Sequence, residues 1–195
     1  RGDRERDLDQ VSGQWDAVID TCGYLPRIVR LSAEALKDKV SKYVFISSVS
    51  VYNNFSKIGI KESDAVGTLA DESVEEITGE TYGPLKALCE KTVQDVYGAR
   101  SLIIRPGLIV GPHDPTDRFT YWPLRIAKGG DVLAPDRPDA MAQFIDARDL
   151  ADAAARVELD SVKVGRKGTV LLPARETSAL LRELSDPTVT LESTE

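Results

Sequence analysis

The pattern of apolar and polar positions along the chain predicts alternating strands and helices. Short β-branched or unbroken apolar runs predict strands at residues 15–21, 42–48 and 101–105, with a short extended piece at 143–146. Apolar positions at helical spacing predict helices that begin at Leu25 and Tyr82, with further helices at 119–128 and 147–159. Because parallel βαβ units produce this order, the pattern favours an α/β fold built on a parallel sheet.

Two stretches lack this periodicity. Residues 53–81 form an acidic excursion, and loops of such length in a compact domain are usually functional or mobile, although a merely solvated loop is an equal alternative. Beyond residue 159 the pattern weakens, and only a short strand at 169–172 and a short helix at 178–184 suggest themselves. The polar end of the chain is expected to fray.

Composition and charge narrow the class of protein. A hydrophobic content of 42% over 195 residues excludes a disordered chain, and no apolar run approaches the ~20 residues that span a bilayer. A net charge of −7 disfavours nucleic-acid and membrane partners. Two cysteines and one histidine are too few for a disulfide framework or a usual zinc site, so we expect no metal. We therefore expect a soluble, cytoplasmic protein.

Ser48, Tyr82 and Lys86 are the candidate catalytic residues. Tyr82 and Lys86 are four residues apart on a predicted helix, so their side chains share one face. An ammonium beside a phenol lowers the phenol pKa, which a tyrosine needs before it exchanges protons with a substrate hydroxyl or carbonyl. Ser48 ends a predicted parallel strand, where open α/β sheets bind their ligands. Alone, a Tyr-x-x-x-Lys spacing is also typical of an exposed helix pair.

Four segments connect this constellation to a known family. They read VFISSVSVY at 44–52, TYGPLK at 81–86, LIIRPGLIVGP at 102–112 and QFIDARDLADA at 143–153. In this order they resemble the extended short-chain dehydrogenase/reductase family, the NAD-dependent epimerase/dehydratase group, over residues 2–157. The resemblance implies a Rossmann-like, doubly wound parallel sheet and NAD or NADP as cofactor.

The resemblance also implies roles for single residues. Tyr82 would be the catalytic acid/base, Lys86 would lower its pKa and bind the nicotinamide ribose, and Ser48 would orient the substrate oxygen. A glycine after the first strand of this chain would let the backbone approach the cofactor closely. The residues that the resemblance places at the cofactor are Asp3, Thr21, Cys22, Gly23, Lys86, Pro106 and Gly107.

The sequence departs from the family at its beginning. The family's first strand and its G-x-x-G-x-x-G turn, which holds the pyrophosphate, have no counterpart here, so we expect an N-terminally incomplete sheet and a longer parent chain. These 195 residues alone are expected to bind NAD or NADP weakly and to be inactive. The residue that selects NAD from NADP is then missing too. We expect a Rossmann-like domain over 1–160, which includes part of a substrate region at 113–142, and a poorly assigned segment at 161–195.

Two classes of function remain open from the sequence. The first is an NAD(P)-dependent oxidoreductase or epimerase that acts on a secondary alcohol or ketone, with a sugar or nucleotide sugar as one substrate class. The second is a non-catalytic relative that senses a cofactor or associates with RNA, which the intact Ser-Tyr-Lys set and the acidic charge disfavour. We expect a small-molecule substrate as the partner, and we expect no binding to nucleic acid or membrane. A homodimer is left open by the sequence.

Overall fold

Five strands and four helices form the part of the chain that the computed structural model describes, residues 3–133 and 142–156. The strands are β1 Trp15–Asp20, β2 Val40–Ile46, β3 Ser101–Ile104, β4 Leu108–Val110 and β5 Phe144–Asp146. The helices are α1 Pro26–Leu36, α2 Tyr82–Tyr97, α3 Tyr121–Ala127 and α4 Ala147–Arg156. Single 3-10 turns lie at Leu8–Gln10, Val49–Val51 and Gly98–Arg100.

The strands are all parallel and form two sheets. β2 lies between β1 and β3, with Val44 opposite both Ile19 and Leu102. β4 pairs with β5 in the second sheet, where Ile109 lies opposite Ile145. The prediction of a parallel α/β fold is confirmed, and the carboxyl ends of β1, β2 and β3 meet at one edge.

The central strand β2 is buried on both faces, as its unbroken apolar run predicts. Tyr43 and Phe45 pack with α1 and α2 in one cluster, whose helix residues are Val29, Ala33, Leu36, Cys89, Val93 and Tyr97. Val44 and Ile46 point to the opposite face and pack against Leu150 of α4. Helices therefore cover both faces of the sheet, which makes the fold doubly wound.

Helix α2 ends where its sequence predicts. Gly98 follows the last helical residue and adopts φ = +52°, a conformation that glycine reaches without a Cβ clash. Its backbone N–H donates to the carbonyl of Gln94. The helix therefore ends at Tyr97, and a single 3-10 turn connects it to β3.

Several boundaries differ from the expectations. β2 ends at Ile46, because the chain turns after Ser47 into the 3-10 helix Val49–Val51. The sequence did not predict β4, which is three residues long and too short to show a period. Residues 53–81 contain no helix and no strand beyond an isolated bridge between Tyr52 and Val66, as expected.

The elements expected at 169–172 and 178–184 lie outside the described residues, and the domain boundary at 160 stays a prediction. Within the described ranges, no helix has both the length and the apolar composition that crossing a bilayer requires.

Candidate active site

The site predicted around Ser48 forms at the carboxyl end of β2. Ser48 caps the 3-10 turn Val49–Val51, where its Oγ accepts a hydrogen bond of 3.1 Å from the Ser50 N–H. The Ser48 hydroxyl lies 3.0 Å from the Ser50 hydroxyl and donates to it. The Val49 N–H donates to the carbonyl of Pro106, 2.9 Å away, so the turn is tied to the segment after β3.

Gly83 brings the first turn of α2 against this 3-10 turn. A Cβ built on Gly83 would lie 2.1 Å from the Ser50 carbonyl oxygen, so only a residue without a side chain permits the contact. Tyr82 immediately precedes Gly83 and is the first residue of α2. The close approach therefore places the Tyr82 and Ser48 segments side by side.

Lys86 is the buried cation of the site, with 3% of its surface exposed. Its Nζ donates to the carbonyl oxygens of Gly23 and Ile46, each 2.8 Å away, at the carboxyl ends of β1 and β2. The ammonium also lies 4.2 Å from the centre of the Phe45 ring. Burial lowers the pKa of Lys86, because a desolvated ammonium is less favourable than the neutral amine.

Two of the three N–H groups of Lys86 are therefore engaged by protein carbonyls. No hydrogen bond joins its Nζ to the Tyr82 hydroxyl, although both residues belong to the described part of the chain. The expectation that Lys86 tunes Tyr82 thus stays a prediction. What the structure establishes is that Lys86 joins α2 to the ends of β1 and β2.

Tyr82 is half-buried and lines an open cleft of about 650 Å³. One wall is the segment after β2, with Ser50, Tyr52 and Phe55, and the other is the approach to α2, with Ile77 and Glu80. Glu80 is the one charged side chain among the described lining residues. The cleft has room for a small molecule beside Tyr82.

Most residues predicted at the cofactor follow β1 and β3, the two strands on either side of β2. Thr21 and Cys22 are exposed directly after β1, and Cys22 N–H donates to the carboxylate of Asp20 at 3.2 Å. Gly23 is buried, and a Cβ there would lie 2.5 Å from the Phe45 ring. Packing within the protein therefore requires this glycine, and the close approach of its backbone to a cofactor stays a prediction.

Pro106 and Gly107 follow β3 on the other side of β2. Pro106 is buried and accepts the hydrogen bond from Val49, which connects it to the Ser48 turn. A Cβ on Gly107 would lie 2.5 Å from the carbonyl oxygen of Gln143, so this glycine too is required by internal packing. The backbone of both segments still borders the edge where Lys86 lies.

Asp3 caps a local turn close to the beginning of the chain. Its Oδ1 accepts from the Glu5 N–H at 2.8 Å, and its own N–H donates to Asp7. The neighbouring Arg4 fixes this segment, because its guanidinium forms a two-pronged ion pair with the buried Asp20 and reaches Ser32. The adenine contact of Asp3 stays a prediction.

Sequence reasoning missed a second buried ion pair close to the cleft. Arg105 makes two hydrogen bonds to Glu90, of 2.9 and 2.6 Å, and Glu90 is 4% exposed. The same guanidinium donates to the Tyr52 hydroxyl at 2.9 Å and to the Glu62 carbonyl at 3.1 Å. Arg105 thus joins β3, α2 and a wall of the cleft.

A signal for both ion pairs was available in the sequence. Asp20 lies in an apolar strand, and Glu90 follows Lys86 by one helical turn on the buried side of α2. A carboxylate at a buried position needs a cation, because an unpaired buried charge is costly. In the described ranges, no group of three or more His, Cys, Asp or Glu side chains is arranged to hold a metal ion.

The doubly wound parallel sheet, with its candidate site at the carboxyl edge, defines a Rossmann-like α/β protein. The model of the NAD dependent epimerase/dehydratase family matches residues 27–171, and the chain belongs to this family. The resemblance found in the motifs is thereby confirmed. No curated protein sequence matches the chain significantly.

Two solved structures show the same fold. UDP-N-acetylglucosamine 4-epimerase from Methanobrevibacter ruminantium M1, in complex with UDP-N-acetylmuramic acid, aligns with a TM-score of 0.58 at 18% identity, over 95% of this chain and 64% of that one. UDP-N-acetylglucosamine 4-epimerase from Bacillus cereus aligns with a TM-score of 0.53 at 16% identity, over 98% of this chain and 71% of that one. The chain thus spans about two thirds of the length of these relatives.

Proposed function

We propose that this protein is an NAD(P)-dependent enzyme of the oxidoreductase or epimerase type, which acts on a secondary alcohol or its ketone. The observation that carries the proposal is the meeting of the Ser48, Tyr82 and Lys86 segments at one strand end, beside a cleft, in a member of this family. A nucleotide sugar is the first substrate class to test, because both aligned structures are named UDP-N-acetylglucosamine 4-epimerases.

The residues at the sheet edge fit the nicotinamide half of the cofactor. Lys86 is a buried ammonium with one N–H that has no acceptor among the described residues, and a ribose hydroxyl supplies such an acceptor. Backbone at Gly23 and Pro106 borders the same edge. When bound, the nicotinamide takes up or returns a hydride at the substrate carbon.

Tyr82 moves the proton in this proposal. In the oxidative direction its phenolate oxygen takes the proton of the substrate hydroxyl, and in the reductive direction its hydroxyl returns that proton to the oxygen. The Ser48 hydroxyl orients the substrate oxygen, and the hydrogen bond from the Val49 N–H to the Pro106 carbonyl holds its turn in place.

The test uses two probe reactions and a Tyr82→Phe variant. Epimerisation of UDP-N-acetylglucosamine in the presence of NAD is followed by chromatography, and reduction of cyclohexanone is followed by the loss of NADH or NADPH absorbance. The full-length wild-type protein is expected to turn over at least one probe. Tyr82→Phe keeps the ring and its packing and removes only the acid/base oxygen, so it should abolish turnover.

Two outcomes contradict the proposal. One is turnover by Tyr82→Phe at the wild-type rate, and the other is a wild-type protein that turns over neither probe. Circular dichroism of both proteins shows whether the variant is folded, so that loss of activity is not confused with loss of structure.

A further inference from the structure

Arg105 supports one wall of the cleft. Its Nη1 donates to the Tyr52 hydroxyl at 2.9 Å and to the Glu62 carbonyl oxygen at 3.1 Å. Tyr52 lines the cleft, and the centre of its ring lies 4.9 Å from the guanidinium carbon of Arg105. Glu62 belongs to the acidic excursion at 53–81. One side chain therefore contacts both the cleft wall and the excursion that follows it in the chain.

We propose that Arg105 is a positioning residue, which sets the substrate affinity of the cleft by holding Tyr52 and the first part of the excursion against α2. Arg105 is not among the described residues that line the cleft, so it acts through Tyr52. The inference rests on the proposed function and deepens it, because it names what holds the substrate-binding wall of that same site. It assigns no proton or hydride transfer to Arg105.

The other side of the guanidinium is anchored in α2. Its Nε and Nη2 donate to the two carboxylate oxygens of the buried Glu90, at 2.9 and 2.6 Å. Together with the two hydrogen bonds from Nη1, four of the five N–H groups are engaged, so the planar group has little freedom to turn. Only 17% of the Arg105 side chain is exposed, so water competes weakly for these hydrogen bonds. The wall is thereby fixed to the helix that bears Tyr82 and Lys86.

The excursion returns to Tyr52 at Val66, where the two residues form an isolated antiparallel bridge. Arg105 binds the loop that this bridge closes, at the Glu62 carbonyl. Loss of the guanidinium would therefore release both the Tyr52 hydroxyl and the middle of the loop, while the bridge can remain. Such a release can shift the wall without unfolding the protein, and binding geometry is sensitive to shifts of about 1 Å.

The first experiment measures kcat and KM of the full-length protein in the probe reaction that the wild type turns over. Tyr52→Phe keeps the ring and removes only the hydroxyl that Arg105 binds, and Arg105→Lys keeps a cation beside Glu90 but loses the planar group. Tyr97→Phe is the matched control. Tyr97 is also buried, with the guanidinium carbon of Arg100 4.9 Å from the centre of its ring, but its hydroxyl has no hydrogen-bond partner among the described residues.

We expect Tyr52→Phe to raise KM by about 2- to 10-fold, the equivalent of one hydrogen bond. Its kcat should stay within about 2-fold of wild type, because a contact that serves binding alone changes KM and not the reaction step. Arg105→Lys should raise KM at least as much, and the double variant should raise it no more than Arg105→Lys does, because the hydroxyl acts through the guanidinium. Tyr97→Phe should change neither constant.

The second experiment does not depend on turnover. Trypsin cuts after Lys57 and Lys61, which lie in the loop that Arg105 binds at Glu62. Since proteolysis follows local opening, Arg105→Lys should speed cleavage at these two sites in the full-length protein by about 2- to 10-fold, and the control Tyr97→Phe should not. Mass spectrometry of the fragments identifies the sites, and thermal unfolding shows that each variant is folded.

Four results overturn the inference. A wild-type KM in Tyr52→Phe, while Tyr82→Phe is inactive, shows that the proposed function holds and that the hydrogen bond does not set affinity. A fall in kcat at unchanged KM assigns Arg105 to the reaction step and not to binding. Unchanged cleavage after Lys57 and Lys61 in Arg105→Lys shows that the guanidinium does not hold the excursion. A full-length wild type that turns over neither probe overturns the proposed function, and the effect on substrate affinity with it.

Discussion

Gly83→Ala is the most direct test of how the site is assembled, because one methyl group is added at the contact between α2 and the Ser48 turn. The new Cβ would lie 2.1 Å from the Ser50 carbonyl oxygen, whereas real Cβ atoms essentially never come closer than 3.0 Å to another heavy atom. The obstacle is backbone, so it cannot rotate away as a side chain would. Either the turn or the start of α2 has to shift by about 1 Å.

The expected cost follows from this clash. Overpacking of a close contact costs about 1–3 kcal/mol, and the better helix propensity of alanine returns at most about 1 kcal/mol of it. For a chain of this length each kcal/mol lowers the melting temperature by about 2–4 °C. The rate of the probe reaction should fall by more than the loss of folded protein explains, because the shift separates Tyr82 from the Ser48 turn.

Gly79→Ala is the matched control for the stability measurement. Gly79 lies four residues earlier, and a Cβ built there has no heavy atom within 4 Å. Its φ is not in the left-handed region, so alanine should stabilise the protein by about 0.4–1 kcal/mol through the unfolded chain. Urea denaturation and thermal scans of both variants give the comparison. A Gly83→Ala protein as stable and active as wild type would refute the close contact and the assembly of the site derived from it.

Three further predictions concern buried charges and thiols. Arg105→Met leaves the Glu90 carboxylate buried and unpaired, so it should lower the free energy of unfolding by about 3–5 kcal/mol in urea denaturation, and Glu90→Leu in the same protein should restore much of it. Iodoacetamide at neutral pH should label the exposed Cys22 and not Cys89, since burial raises the pKa of the Cys89 thiol to about 12. Added NAD should slow the labelling of Cys22. Preferential labelling of Cys89 in the folded protein would contradict the expected difference between the two thiols. Burial lowers the pKa of Lys86 below 10.5, so between that lowered pKa and 10.5 the unfolded chain binds the proton more strongly than the folded protein does. The free energy of unfolding of wild type, relative to that of Lys86→Met, should therefore rise with pH in this range. A difference that does not change with pH in alkaline denaturation curves would refute the burial of the charge.

Local patterns were sufficient to predict the order of most elements and to nominate candidate catalytic residues. The unbroken apolar run of β2 indicated a strand buried on both faces, and the stripe from Leu85 to Val96 with Gly98 at its end predicted α2 almost to the residue. Tyr82, Lys86 and Ser48 could be nominated because helical spacing and strand ends are properties of short stretches of chain. The roles assigned to them remain predictions that the probe reactions test.

Tertiary structure decided how those stretches meet, because contacts between distant residues depend on packing that no local period encodes. Lys86 donates to the carbonyls of Gly23 and Ile46, 63 and 40 residues away along the chain, and not to its helical neighbour Tyr82. At Gly23 and Gly107 protein atoms occupy the space that a Cβ would need, and these contacts join residues too far apart in the sequence for a local pattern to show them. Gly83 is in contact with the Ser50 carbonyl oxygen, a contact between α2 and the turn after β2 that no local pattern shows. The sequence by itself determined which polar and charged side chains are available. The packing of α2 on the ends of β1 and β2 determined which of these residues line the cleft, because the fold decides which neighbours surround each side chain.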